Sequence, residues 1–153
     1  MKANDQQERL KMGYWISGFV DGEGCFTVSI LKNSTTKYGK QIFPEFVITQ
    51  SGKSLNVLED VCKFFGIGSI VLNKRYDNHT VDLYKFCVRS ISDLHEKIVP
   101  FFEEFSLRTS KVKDFIIFSK IVKSMYGKKH LSKRGFNRIV KLIQTMNRKK
   151  TRF

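Results

Sequence analysis

Only two prolines interrupt the 153-residue chain, and no Gly-, Pro- or Ser-rich stretch divides it. That leaves no flexible interdomain linker. A single domain over residues 1–153 is expected, with its core at about 10–147 and a basic tail beyond. Cysteine is also sparse. Cys25, Cys62 and Cys87 stand apart with no CxxC pair, and His79, His95 and His130 fall at no zinc-ligand spacing. A disulfide framework and a structural zinc site are thereby excluded, and a reducing compartment is expected. Long apolar runs are missing too. Phe115–Phe118 is among the longest, far short of the ~20 residues that span a bilayer. Met1–Met12 is polar where a secretory signal would be apolar, and no membrane partner is expected.

The most telling deficit is acid. Lys and Arg number 28 against 14 Asp and Glu, a formal net charge of +14. Residues 1–110 are nearly balanced, with 14 basic and 13 acidic side chains. Residues 111–153 carry 14 basic side chains and one acid, Asp114. A local excess of +13 implies a polyanionic partner, with nucleic acid favoured over an anionic membrane surface. Hydrophobic content is 41%, with 14 phenylalanines, which suffices for a folded core rather than disorder.

What is present reads as alternating periods. Leu10–Gly22 carries Tyr14, Trp15, Gly18 and Phe19 and is expected to be a helix buried along its length, stopped by the glycines of Asp21-Gly22-Glu23-Gly24. Phe26, Val28 and Ile30 then alternate with Cys25, Thr27, Ser29 and Leu31, the period of a half-buried strand. Residues 32–41 form a polar turn, and Phe46 and Ile48 alternate with Glu45, Val47 and Thr49 on the return. Leu55, Leu58, Val61, Cys62 and Phe65 follow at helical spacing.

After Gly66-Ile67-Gly68 the pattern repeats. Ile70 and Leu72 mark one strand, Asp77-Asn78-His79 a turn, and Tyr84, Phe86 and Val88 the next strand. A helix begins near Ser92, with Leu94, Ile98, Phe101, Phe102 and Phe105 inward. Two more helices carry Val112–Met125 and Phe136–Met146. The order is α-β-β-α-β-β-α plus two C-terminal helices: an α+β fold with one four-stranded antiparallel sheet, covered by helices on one face.

The uncovered sheet face would present Thr27, Ser29, Asn33, Gln41, Glu45, Asn73, Arg75 and Lys85, donors and acceptors suited to base edges. The same side is expected to include Leu31, Val47, Ser69, Val71 and Cys87. A solvated sheet face is polar as well, so polarity alone leaves both readings open. A base-stacking RNA platform would need exposed aromatics. Phe26, Phe46, Tyr84 and Phe86 instead share the parity of the core residues, while Phe43 and Trp15 are not placed by the pattern.

The stretch Trp15-Ile16-Ser17-Gly18-Phe19-Val20-Asp21-Gly22-Glu23-Gly24 resembles the LAGLIDADG motif. Its placement, a helix followed by an acidic turn and an alternating strand, is that of the LAGLIDADG homing endonucleases. Thr49-Gln50, the segment Gly127–Ser132, Gly135 and Met146-Asn147 extend the resemblance over about residues 13–147. It implies an α+β domain whose sheet forms a DNA-binding saddle, and a sequence-specific endonuclease. One motif per chain implies a homodimer paired along this helix through Ile16, Ser17, Gly18, Asp21 and Gly22, reading a roughly palindromic double-stranded site. Gly18 and Gly22, four apart, are small enough for two backbones to approach, although tight packing within one chain would also use them.

The resemblance also assigns chemistry. Glu23 stands where the motif has Asp and supplies the same hard oxygen. With the Gly22 carbonyl it would ligate Mg²⁺, which activates water and orients it at the phosphodiester. A glutamate that merely ends a helix is the plain alternative. Gln50 would help place the attacking water, Lys53 would contact phosphate, and the active-site basic group would be Lys111, or Arg108 in second place. Asp21 is also read as structural. Two readings compete with cleavage: an RNA-binding intron maturase and a DNA-binding regulator without nuclease activity. Both would favour loss of the acid that Glu23 retains. The protein is expected beside its target DNA, in a chloroplast, a mitochondrion or a prokaryotic cytoplasm.

Overall fold

The computed structural model describes residues 3–74 and 80–147. Helix α1 (Ala3–Glu23) leads into strand β1 (Gly24–Lys32), which turns into β2 (Lys40–Ser51). After a 3-10 turn at Gly52–Ser54 come α2 (Leu55–Phe65), β3 (Ser69–Leu72) and β4 (Leu83–Val88). Next are α3 (Ile91–Asp93), a π turn at Leu94–Ile98 and α4 (Val99–Glu104). Helices α5 (Lys111–Tyr126) and α6 (Lys133–Asn147) end the described chain, joined through a 3-10 turn at Lys129–Leu131. The α-β-β-α-β-β-α order read from periodicity is the observed order.

Strands lie in the order β1-β2-β4-β3, all antiparallel. Pro44 falls where β2 has β1 alone as neighbour, because β4 pairs only from Phe46 onward; a strand position with an unpaired side tolerates the missing amide. Helix α2 stops at Gly66, whose φ of 64° is the left-handed conformation glycine adopts without strain and whose N–H donates to the Cys62 carbonyl at 2.9 Å. The turn at 75–79, where Asp77-Asn78-His79 falls, lies outside the described residues, as does Arg75.

The core lies between one sheet face and the helices. Phe26, Val28, Phe46, Ile48, Phe86 and Val88 point into it from the strands, and Leu58, Leu94, Phe102 and Phe118 meet them. Phe26 stacks on Phe46 with ring centroids 5.1 Å apart and meets Phe102 edge-on at 5.2 Å. Edge and offset contacts between aromatic rings add to what burial alone contributes. The helix expected from Ser92 is present but locally underwound into a π turn: the Val99 N–H donates to the carbonyl of Leu94, five residues back. Pro100, at the start of α4, lacks the N–H an unbroken α-helix would use there.

Helix α1 departs from its expected burial. Gly13, Ile16, Ser17 and Val20 face inward, but Tyr14 and Trp15 are 66% and 45% exposed, and Gly18 and Gly22 are exposed as well. The periodicity therefore mixed two faces, one packed inside the domain and one uncovered in the protomer.

Candidate active site and nucleic-acid interface

Two i, i+4 rows divide α1. On the inward side, a Cβ on Gly13 would lie 2.4 Å from Phe105 Cζ, so Gly13 is a contact within the chain. On the outward side, a Cβ on Gly18 or Gly22 would meet nothing within 4 Å. Trp15 stacks on Phe19, with centroids 5.0 Å apart, along the same uncovered strip. A small-residue notch flanked by aromatics suits close helix approach, yet among the described residues nothing fills it.

Two of the residues assigned to helix pairing, Ile16 and Ser17, are buried within the protomer, and a third, Asp21, is half-buried. Ile16 is fully buried in the core. Ser17 is buried too, its hydroxyl shared between the carbonyls of Phe105 at 3.0 Å and Ser106 at 3.2 Å. Asp21 turns toward the segment before α5. Its carboxylate accepts from the Arg108 amide at 2.8 Å, the Thr109 amide at 3.1 Å and the Thr109 hydroxyl at 2.7 Å. Partial desolvation opposes ionisation of Asp21, but these bonds and the Lys111 ammonium outweigh it and hold the carboxyl below its ordinary value. Gly18 and Gly22 remain on the outer face.

Glu23 is the last residue of α1 and is exposed. No hydrogen bond joins its carboxylate to another described residue. One turn earlier, the Val20 carbonyl accepts from Lys111 Nζ at 2.8 Å. A cation among the last carbonyls of a helix is favoured by the helix dipole, and here it brings an ammonium to the turn that ends in Glu23. Lys111 is thus at this helix end. Arg108 is exposed and borders a hollow with Tyr14, Gly18 and Asp21, farther back along the helix.

Gln50 lies two residues beyond Ile48, the register partner of Gly24, which sets it beside the α1–β1 junction. Lys53 is exposed in the 3-10 turn that follows, its amide donating to Ser51 Oγ at 3.3 Å. Among the described residues of one protomer, no group of three His, Cys, Asp or Glu converges to hold a metal. Glu23 and the main-chain oxygens around Gly22 form a hard-oxygen donor set of the kind Mg²⁺ takes, but with a single acid per protomer.

The open sheet face carries most of the residues that alternation assigned to it. Ser29, Leu31, Gln41 and Ser69 are exposed, and Thr27, Asn33, Glu45, Val47, Val71, Asn73 and Lys85 are half-buried. Asn33 Nδ2 donates to Gln41 Oε1 at 3.0 Å, and Glu45 pairs with Arg89. Cys87 is a correction. It shares this side in register, opposite Val47 and Ser69, but is only 2% exposed beneath its neighbours. A residue that deep offers no atom to a ligand lying on the sheet.

Sequence reasoning omitted Cys25, which is exposed and opposes Val47 on the same side; the alternation that selected Thr27 also pointed to it. It also omitted Thr109, whose link to Asp21 no periodicity signals. Phe43, left unplaced, pairs with Ser29 in register and lies under the Arg89 guanidinium at 5.9 Å. Lys133, Arg134, Arg138 and Lys141 are exposed on α6, whose Met146 borders a hollow with Thr27 and Ser29 of β1. No helix among the described residues is long and apolar enough to cross a membrane.

A four-stranded antiparallel sheet with one open polar face, and a glycine-notched helix ending in an exposed acid, define the class of protein. The family model described as LAGLIDADG endonuclease matches residues 16–122, and the chain belongs to that family. It is 41% identical to the homing endonuclease I-TnaI, with a TM-score of 0.78 over 88% of this chain and 87% of that one. I-SmaMI bound to an uncleaved DNA target with calcium ions superposes with a TM-score of 0.80 at 36% identity, over 88% of this chain and 44% of that one. "Probable intron-encoded endonuclease 3" of Neurospora crassa is 32% identical over 148 residues, 95% of this chain. The chain spans about a quarter of that relative's length, 27%.

Proposed function

We propose that this chain forms one half of a site-specific homing endonuclease, the other half being a second copy paired along α1, and that it makes a double-strand cut in a long, roughly palindromic DNA site. The observation that carries the reading is the helix end itself. Glu23 is exposed at the foot of a helix whose Gly18 and Gly22 face is uncovered, and Lys111 Nζ is fixed to its last turn. Pairing through the glycines would bring two Glu23 carboxylates together and supply the acids that one protomer lacks. The similarity to I-TnaI over nearly the full length of both chains supports a half-site of this size.

When bound, a divalent cation such as Mg²⁺ would supply Lewis-acid stabilisation of the phosphodiester and make water easier to deprotonate, so that hydroxide is available as the nucleophile. The protein's own share is to place and screen. Glu23 and the Gly22 carbonyl would hold the cation, Gln50 would orient the water, and Lys111 would offset charge on the phosphate, with Lys53 and Arg108 as the other candidate basic groups. The open face from Thr27 to Lys85, with Arg75, would contact base edges in the major groove, and α6 would neutralise phosphates beside it. Affinity would then fall steeply with salt as counterions are released. The protein would work where its target DNA lies, in an organelle or a prokaryotic cytoplasm.

The test is cleavage. DNA from the two flanks of the gene is joined as if the element were absent, cloned, and incubated with the protein in Mg²⁺ or EDTA. A Mg²⁺-dependent double-strand cut near the junction is expected. Tight, salt-sensitive binding without a cut would favour the regulator on DNA, or the maturase if the intron RNA is bound instead.

A further inference from the structure

The geometry points to Asp21 as a positioning residue that sets the active-site lysine, working through Thr109; this rests on the reading of Lys111 as the basic residue that offsets charge on the phosphate. The segment between α4 and α5 is suspended from one face of α1. Ser17 and Asp21, one turn apart on that face, account for every side-chain bond α1 makes to it. The Ser17 hydroxyl holds the carbonyls of Phe105 and Ser106, and the Asp21 carboxylate holds the amides of Arg108 and Thr109. The chain of bonds then continues toward the lysine. Thr109 Oγ1 donates to Asp21 Oδ1 at 2.7 Å and accepts from the Lys111 amide at 3.3 Å. From that anchored first residue of α5, Lys111 reaches back to the Val20 carbonyl at 2.8 Å.

Arg108, Thr109 and Ser110 are exposed, so water competes for their amides, and Ser110 gives α5 no side-chain cap. Amides ahead of a helix start without side-chain acceptors leave that start ill-defined. Asp21 provides two oxygens for two consecutive amides and a third bond to the hydroxyl that orients Lys111. The lysine is long and flexible, so the position of its ammonium depends on where its backbone is pinned. Displacement of a positioned group by about 1 Å can cost on the order of 10²-fold in rate. The Asp21 carboxylate faces α5, whereas Glu23 two residues on is uncommitted. The two acids of the motif thus divide the labour, one for the cation and one for the lysine.

The experiment is a double-mutant cycle read in single-turnover cleavage of the joined-flank DNA, using the full chain with Mg²⁺. Asp21→Asn keeps the shape but sets an amide donor against the Arg108 or Thr109 N–H. It should slow cleavage by about 10- to 100-fold, with DNA affinity in EDTA changed less than about twofold. Lys111→Met should slow it at least as much, and Asp21→Asn added to Lys111→Met should slow it no further. Thr109→Val, which removes only the relaying hydroxyl, should share the defect, and Thr109→Ser should restore the rate. These two keep the test available if Asp21→Asn folds poorly. Losses that multiply in the double variant would mean that Asp21 acts independently of Lys111 and would overturn the proposal. So would full-speed cutting by Asp21→Asn while Lys111→Met is slow, which leaves the endonuclease reading standing. A wild-type protein that cuts nothing would remove both.

Discussion

Gly18→Ala separates the two faces of α1 by the sign of its effect. In the protomer the new methyl meets nothing within 4 Å. Replacing a helix-interior glycine by alanine then stabilises by about 1 kcal/mol through backbone entropy alone. For a domain of this size that raises Tm by about 2–4 °C. Against a second helix packed on the notch, the same methyl overfills a fitted contact, at about 1–3 kcal/mol per site. A twofold pair carries the change twice, about 2–6 kcal/mol in all, which weakens association by about 30-fold to about 10⁴-fold at 1.4 kcal/mol per decade. Sedimentation equilibrium from nanomolar to micromolar protein, with thermal melts on diluted samples, reads both quantities. The expected result is weaker self-association together with a dilute protomer no less stable than wild type. An unchanged dimer constant with a raised Tm would refute pairing through Gly18. Gly13→Ala is the internal control. Its Cβ would strike Phe105 at 2.4 Å, so it should lower stability at every concentration.

Three further outcomes follow from the packing and the charges. Phe46→Ala removes a fully buried ring touching Phe26, Phe86 and Phe102; it should cost about 3–5 kcal/mol, a large part of the ~5–15 kcal/mol typical of a domain, measurable by urea denaturation. His130 Nδ1 is buried with no partner among the described residues, and burial lowers its pKa below the ordinary 6.5. A depressed folded pKa means that neutral His130 stabilises above about pH 6.5, and that this is lost as pH falls, because the unfolded chain takes up the proton first. Tm should therefore drop more in wild type than in His130→Gln between about pH 7.5 and about pH 5.5, and equal drops would show that burial does not perturb this imidazole. Replacing Arg138 and Lys141 of α6 by Gln should weaken DNA binding and flatten its salt dependence by about one phosphate each; an unchanged salt slope would place the DNA away from α6.

The order of elements was legible because each segment buries one face and so shows its period: two for Phe26–Ile30 and Phe46–Ile48, three to four for Leu55–Phe65. What the pattern did not carry is which partner covers an apolar position. Tyr14, Trp15 and Phe19 read as core beside Ile16 and Val20, yet the first two are exposed and Phe19 is half-buried, because hydrophobicity marks burial by any surface, a second chain included. Strand parity has a similar limit. It gives the direction of Cys87 but not its depth, which its neighbours across Val47 and Ser69 decide. The π turn at Leu94–Ile98 was hidden because a one-residue insertion into the turn barely shifts the spacing of Leu94, Ile98 and Phe102. The resemblance separated Glu23 from a structural Asp21, but what Asp21 holds, a segment 87 residues away, is a tertiary contact that the motif does not name. Lys111 was legible as a basic residue at the start of a helix; its reach to Val20 is a tertiary contact that no local signal encodes.

The most direct measurement is made on Glu23→Gln. This change keeps length and shape and removes the charge that would hold the cation. The wild-type protein and the variant are compared for binding to the joined-flank DNA and for cutting it in Mg²⁺, and equimolar mixtures of the two are assayed for nicks. The account predicts that Glu23→Gln binds like wild type, does not cut, and in mixed dimers turns the double-strand cut into a nick or abolishes it. Cutting by Glu23→Gln at the wild-type rate would contradict it and place the essential acid elsewhere.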